Sequence, residues 1–200
     1  MVRRAWVFGF IGAVCLVGMA LTIVGGCSAE GKLATNMPRT GGLWSIKVVS
    51  DFKEGEEIPA KHAAASAGGQ NISPPISWNP GPAQTREYAV IIEDVNDKVD
   101  DLPATQWLVY KIPASVTSLP EGAASNTKFA QGKNHTGAVG YIGPEEKSDE
   151  KPHKYYIEVF ALSDPVQTPA GADRTTIGKE FEGFVLAKGQ LMGYYPEKKK

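Results

Sequence analysis

Three runs of β-favouring residues constrain this chain more than any other feature. They are Tyr88-Ala89-Val90-Ile91-Ile92, Gln106-Trp107-Leu108-Val109-Tyr110-Lys111-Ile112, and Tyr155 through Leu162. Each is short and rich in β-branched and aromatic side chains, which fit a pleated surface. The first is apolar without interruption, as expected of a central strand buried on both faces. The second stops at Pro113, which has no N–H to give a ladder. Between the runs lie many turn formers. Glycine and proline supply 22 and 14 of the 200 residues, a bias towards turns and away from long helices. The reading is one mostly-β domain over residues 43–196.

Smaller signals fill in the rest. Trp44, Ile46 and Val48 alternate with Ser45 and Lys47, a strand with one buried face. Ile76-Ser77-Trp78 reads as a short strand. Asp94 to Pro103 reads as a polar loop, and residues 114–137 as a second loop region. Asp173 is placed as the N-cap of one short helix, Arg174 to about Phe181, with Gly183 past its end. Phe184 to Met192 is ambiguous between strand and helix, with strand or irregular structure preferred. Trp78 and Trp107 are expected in the core or in a pocket wall. His62 and His135 are expected on surface loops.

The N-terminus reads as an export signal over residues 1–26. Arg3 and Arg4 precede 22 uncharged residues, Ala5 to Gly26. A short positive region before an apolar core is the secretory pattern, although the run is also long enough to cross a bilayer. Val24-Gly25-Gly26-Cys27 resembles a bacterial lipobox, which makes Cys27 a lipidation site. Small residues there admit a peptidase to the backbone, and only a thiol forms the thioether. An uncleaved transmembrane anchor is the other reading. Either one expects an extracytoplasmic domain held at a membrane of the cell envelope. Residues 27–42 read as a flexible tether, and residues 197–200 as a solvated basic tail.

Other chemistries find little support. A net charge of −1 and a pI near 6.3 do not fit an electrostatic nucleic-acid binder. Cys15 and Cys27 both precede the folded part, so no disulfide framework is expected. There is no G-x-S-x-G elbow, P-loop, dinucleotide fingerprint or H-E-x-x-H. The histidines are only His62, His135 and His153, with no metal-ligand spacing, although a site of histidine plus carboxylates stays open. No enzymatic activity, metal or cofactor is expected.

Several segments, in order, resemble the phosphatidylethanolamine-binding protein family in its bacterial Raf-kinase-inhibitor-like branch. They begin with Phe52-x-x-Gly55-x-x-Ile58-Pro59 and Gly69-Gln70-Asn71-Ile72-Ser73-Pro74-Pro75-Ile76-Ser77-Trp78. Tyr88 to Asp94, Trp107 to Pro113, Leu119-Pro120-Glu121-Gly122, Gly132-Lys133-Asn134 and Gly140-Tyr141-Ile142-Gly143-Pro144 follow. His153-Lys154-Tyr155, Val159 to Leu162, and Leu186-Ala187 through Gly193-Tyr194-Tyr195 close the series. The resemblance implies a large central antiparallel sheet, a smaller sheet packed on it, and short peripheral helices. It also implies a non-enzymatic surface pocket for a phosphate-like anion or a phospholipid head group. A protein partner is a further implied possibility.

Carried over position by position, the pocket would use Asp94, His153, Tyr155 and Tyr195, with Tyr194 the weaker choice for the late tyrosine. Gly143 and Pro144 would shape the rim. Imidazole, phenol and backbone N–H groups donate to phosphate oxygens, and a neighbouring carboxylate favours a charged imidazole. The chain also departs from the family. Asp94-Val95-Asn96 stands in place of Asp-Pro-Asp, and Gln106 in place of a histidine. Glu145 to Pro152 replaces the family's Cys-Pro-Pro and brings four acids beside an anion site. The expectation is a partly degenerate pocket. A protein-interaction module that has lost its ligand is the alternative.

Overall fold

The computed structural model describes residues 44–145 and 151–195. The expected signal, Cys27, the tether, residues 146–150 and the basic tail lie outside these residues. The described strands are β1 (Val48–Val49), β2 (Glu56–Glu57), β3 (Ile76–Trp78), β4 (Glu87–Val99) and β5 (Leu102–Pro113). They continue with β6 (Ser118–Leu119), β7 (Ala130–Gln131), β8 (His153–Leu162) and β9 (Val185–Tyr195). One α-helix, α1 (Arg174–Phe181), precedes β9.

Two sheets form. The larger has the order β2-β9-β8-β4-β5-β7, and the smaller the order β1-β3-β6. Pairing is antiparallel except where β2 joins β9 in parallel. The three sequence runs become the adjacent strands β8, β4 and β5, so the longest apolar segments fill the middle of the sheet. Period two then sends alternate residues to opposite faces. Tyr88, Val90, Ile92, Trp107, Ile157 and Val159 share one core with Val48, Ile76, Trp78 and Leu119 of the small sheet. Ala89, Ile91, Leu108 and Phe160 share the other with Ile177 and Phe181 of α1. A strand covered on both faces needs apolar residues at every position, which is why Tyr88–Ile92 lacks alternation.

Asp173 caps α1, its side chain accepting from Thr176 N at 2.7 Å. Gly183 follows with φ 87°. The ambiguous segment after it is strand β9.

Three expectations are corrected. Asp94–Pro103 is a hairpin instead of a loop, closed by Asp100 and Asp101 with φ 51° and 64°. Aspartate tolerates this left-handed conformation, and two such residues match the twist of a tight hairpin. Its arms carry polar residues because they project past the cores. Trp44 is 56% exposed. It precedes the first backbone pairing, Ser45 with Lys188, so only Ile46 and Val48 are held inward. His62 is fully buried, and the His135 side chain is mostly buried. Both take backbone carbonyls as partners, Ile72 O for His62 and Thr105 O for His135.

Candidate functional site

Cross-strand register gathers residues distant in sequence at one end of the large sheet. Asp94 on β4 lies opposite Tyr155 on β8. His153, two residues back on the same face of β8, lies opposite Tyr195 on β9. Antiparallel pairing brings directly opposed side chains about 4.5–5.5 Å apart at Cβ. Three neighbouring strands therefore present a carboxylate, an imidazole and two phenols together.

The centre is a contact between an imidazole and a carboxylate. His153 Nδ1 and Asp94 Oδ2 are 2.8 Å apart. Asp94 is fully buried and His153 is 5% exposed, so the ring reaches the surface only at one edge. A buried carboxylate needs hydrogen bonds to offset its lost hydration. Asp94 Oδ1 supplies them, accepting from Asn96 N at 2.9 Å and Asp97 N at 3.1 Å. Residues 95–97 are the extra length of β4 where its register against β5 shifts. Asn96 Oδ1 in turn accepts from Lys154 N at 2.8 Å, which ties this bulge to the start of β8. The turn that proline stiffens in the family's Asp-Pro-Asp is here stiffened by two side-chain-to-backbone bonds. Asn96 therefore has a positioning role that sequence reading missed. An aspartate-to-asparagine change reads as lost charge, and only the fold shows that the side chain still accepts a bond from the backbone of β8.

The Tyr155 hydroxyl is buried without a hydrogen-bond partner among the described residues. Burial, followed by the neighbouring Asp94 charge, raises its pKa well above the usual tyrosine value. It stays a neutral phenol with an O–H to donate.

The remaining candidates are already engaged by protein. Ile142 N donates to Gln106 O at 2.9 Å. In the amide orientation its surroundings select, the Gln106 side chain donates to Ile142 O at 2.8 Å and Gly143 O at 3.3 Å. Gln106 thus clamps the 142–144 loop at both its backbone and its side chain. The Tyr195 hydroxyl donates to Ala67 O at 3.3 Å. Tyr194 is Lys154's cross-strand partner and belongs to the opposite face.

The rim is two loops locked together. Ala64 N donates to Pro144 O at 2.9 Å, and the Tyr141 hydroxyl donates to His62 O at 2.8 Å. Asn71, with φ 55°, accepts from Gly143 N through Oδ1 at 2.8 Å. Gly143 allows this closeness, since a Cβ there would sit 2.0 Å from His62 O. Of the four acids in this loop only Glu145 lies among the described residues, accepting from Ser66 Oγ at 3.3 Å.

Behind this rim lies a second polar cluster. His62 Nε2 is 3.0 Å from Asp51 Oδ2, and Lys61 Nζ is 3.1 Å from the same oxygen. Lys61 also pairs with Glu121. Burial works to raise the Asp51 carboxyl, but the bonds from His62 and Lys61 outweigh it and hold the group below its ordinary value. Asp51, His62 and Glu121 place one ligand-capable atom each within 4.8 Å of one another, the one set of metal-ligand type among the described residues.

Comparison with known proteins agrees with this architecture. The phosphatidylethanolamine-binding protein family pattern matches residues 48–196. A UPF0098 protein of Aquifex aeolicus is 34% identical over 148 residues, 72% of this chain and 84% of that one. A UPF0098 protein of Chlamydia muridarum is 34% identical over 155 residues, 73% and 95% of the two chains. The crystal structure of Escherichia coli YbcL, described as a new member of the mammalian PEBP family, has a TM-score of 0.71 and 28% identity. The match covers 78% of this chain and all of YbcL. The chain belongs to the phosphatidylethanolamine-binding protein family.

Proposed function

We propose that this protein is a non-enzymatic, membrane-tethered binding module of the bacterial Raf-kinase-inhibitor-like branch. Its pocket takes a small phosphate-like anion, free or as a phospholipid head group. The observation that carries this reading is the Asp94–His153 pair beside the partnerless Tyr155 hydroxyl. A carboxylate-held imidazole and a buried phenol O–H beside Asp94 are two donors at one end of the large sheet, a chemistry suited to phosphate oxygens. The family's phosphatidylethanolamine-binding designation supports the ligand class. Binding is weak, because Gln106 and Tyr195 give their polar groups to backbone carbonyls. Lipidation at Cys27 would keep the domain outside the cytoplasm at a membrane surface, and a second acyl chain would make that anchoring stable.

Titration of the His153 imidazole by NMR with inorganic phosphate, and separately with phosphoethanolamine, tests the pocket. Either ligand should move the ring signals at some pH between about 5 and about 8. A ring signal that ignores both ligands across that range would refute the anion reading.

A second reading has its own support, namely the engagement of Gln106 and Tyr195 by protein. There the pocket is closed to ligands, and the rim loops contact an extracytoplasmic protein. A His153→Ala, Asp94→Ala double variant that keeps partner binding would favour it.

A further inference from the structure

We propose that Asp51, His62 and Glu121 form a binding site for a divalent transition-metal ion that staples three loops behind the rim. The argument starts from His62. Its ring is fully buried, and Nδ1 lies 2.7 Å from Ile72 O. A carbonyl only accepts, so Nδ1 carries a proton and donates. Metal-ligating histidines hold one nitrogen in this way, fixing the tautomer and aiming the other nitrogen at the ion. Here the other nitrogen, Nε2, points at a carboxylate, 3.0 and 3.2 Å from the two Asp51 oxygens. Two acceptors face one another there unless a cation, either a proton or a metal, lies between them.

The neighbours complete a donor set. Glu121 brings a second carboxylate from the loop after β6, and all three ligand atoms lie within 4.8 Å. A tetrahedral ion with bonds of about 2.0–2.2 Å holds its ligands roughly 3.4 Å apart, so small side-chain adjustments close the site. One imidazole and two carboxylates suit Zn²⁺ and its first-row neighbours. The position already attracts positive charge, since the Lys61 ammonium contacts both carboxylates. Lys61 is the competitor. Its side chain is partly exposed, and its flexible stem can carry the ammonium out to water. Glu121 is exposed enough to leave a coordination position open to water.

Asp51 and His62 are 11 residues apart, Glu121 comes from a distant loop, and His62 sits in the loop that holds Tyr141 and Pro144. An ion would therefore stiffen the rim. This proposal is independent of the anion reading, because it uses none of Asp94, His153 or Tyr155.

The test is titration of the full chain in detergent, with Zn²⁺ by calorimetry and Co²⁺ by visible absorption. One ion should bind per chain. Glu121→Gln, an exposed change that leaves folding intact, should weaken binding at least about tenfold. His62→Asn should abolish it, and Lys61→Met should tighten it. If neither the native chain nor Lys61→Met takes up an ion, the four side chains are an ion-pair network only and the proposal falls. It also falls if Glu121→Gln and His62→Asn bind as the native chain does. A thiolate-to-cobalt charge-transfer band would overturn it too, by placing the ion on Cys15 or Cys27.

Discussion

At the residue scale, two positions carry most of the site's geometry. Asp94 holds His153 and the 95–97 bulge with three hydrogen bonds. Removing Asp94 leaves the buried His153 Nδ1 and two backbone N–H groups without their partner, so Asp94→Ala should cost about 1–3 kcal/mol. Urea unfolding measures that loss, and the His153 ring signals should move with it. Gly143 holds the rim. A methyl group there meets backbone, His62 O at 2.0 Å, and no rotamer relieves it. Gly143→Ala should destabilise by roughly 1–3 kcal/mol or more. It should also weaken any pocket ligand by displacing Pro144. Sequence reading picked Asp94 and His153 through family resemblance. The resemblance also implied a carboxylate beside the imidazole, and strand register across 59 residues of chain brings the two to 2.8 Å.

At the element scale, local patterns and long-range pairing divide the work. Helix α1 is legible because its signals are local, with Asp173 before it and Gly183 after it. Asp173→Ala should cost about 1 kcal/mol, read as a lower thermal midpoint. The bond to Thr176 holds the Asp173 carboxyl below its ordinary value. That contribution should vanish at acid pH, where the carboxyl is protonated. The tip of the β4–β5 hairpin, residues 94–103, was not legible. Its residues look like a loop because no core covers them, and backbone pairing there owes little to side-chain character. Strand β9 was ambiguous for a related reason. Its alternation is blurred by Gly189, which lets Ile46 O approach closely, a contact made from the far end of the domain.

At the scale of the whole molecule, ionisable groups whose pKa the fold shifts set the pH range of stability. Tyr141 and Tyr155 are both raised above the usual tyrosine value, chiefly by burial. A raised folded-state pKa leaves its stability intact below the unfolded value of about 10 and removes it as pH climbs further. Alkaline unfolding should therefore coincide with a late, cooperative rise in tyrosinate absorbance. Asp51, Asp173 and Glu180 are shifted the other way. Burial opposes the shift at all three, most at Asp51 and Glu180, and hydrogen bonds prevail at each. Their stability is present above the ordinary carboxylate range and is lost as pH falls through the depressed values. Melting temperature against pH should be a plateau with both edges sloping down. A monotonic profile would contradict this account of the shifted groups.

The sequence by itself determined the class of fold and the middle of the large sheet. Runs such as Tyr88–Ile92 carry that information in consecutive residues, and burial on two faces is written in their lack of alternation. It also marked Asp94, His153 and Tyr155 as site candidates by resemblance. Tertiary structure alone decided which side chains meet. Register placed Asp94 against Tyr155 and His153 against Tyr195, turned Gln106 into a clamp, and buried His62 beside Asp51. Those outcomes depend on pairings between strands and loops tens of residues apart, where distance is set by hydrogen-bond register and packing and leaves no local trace.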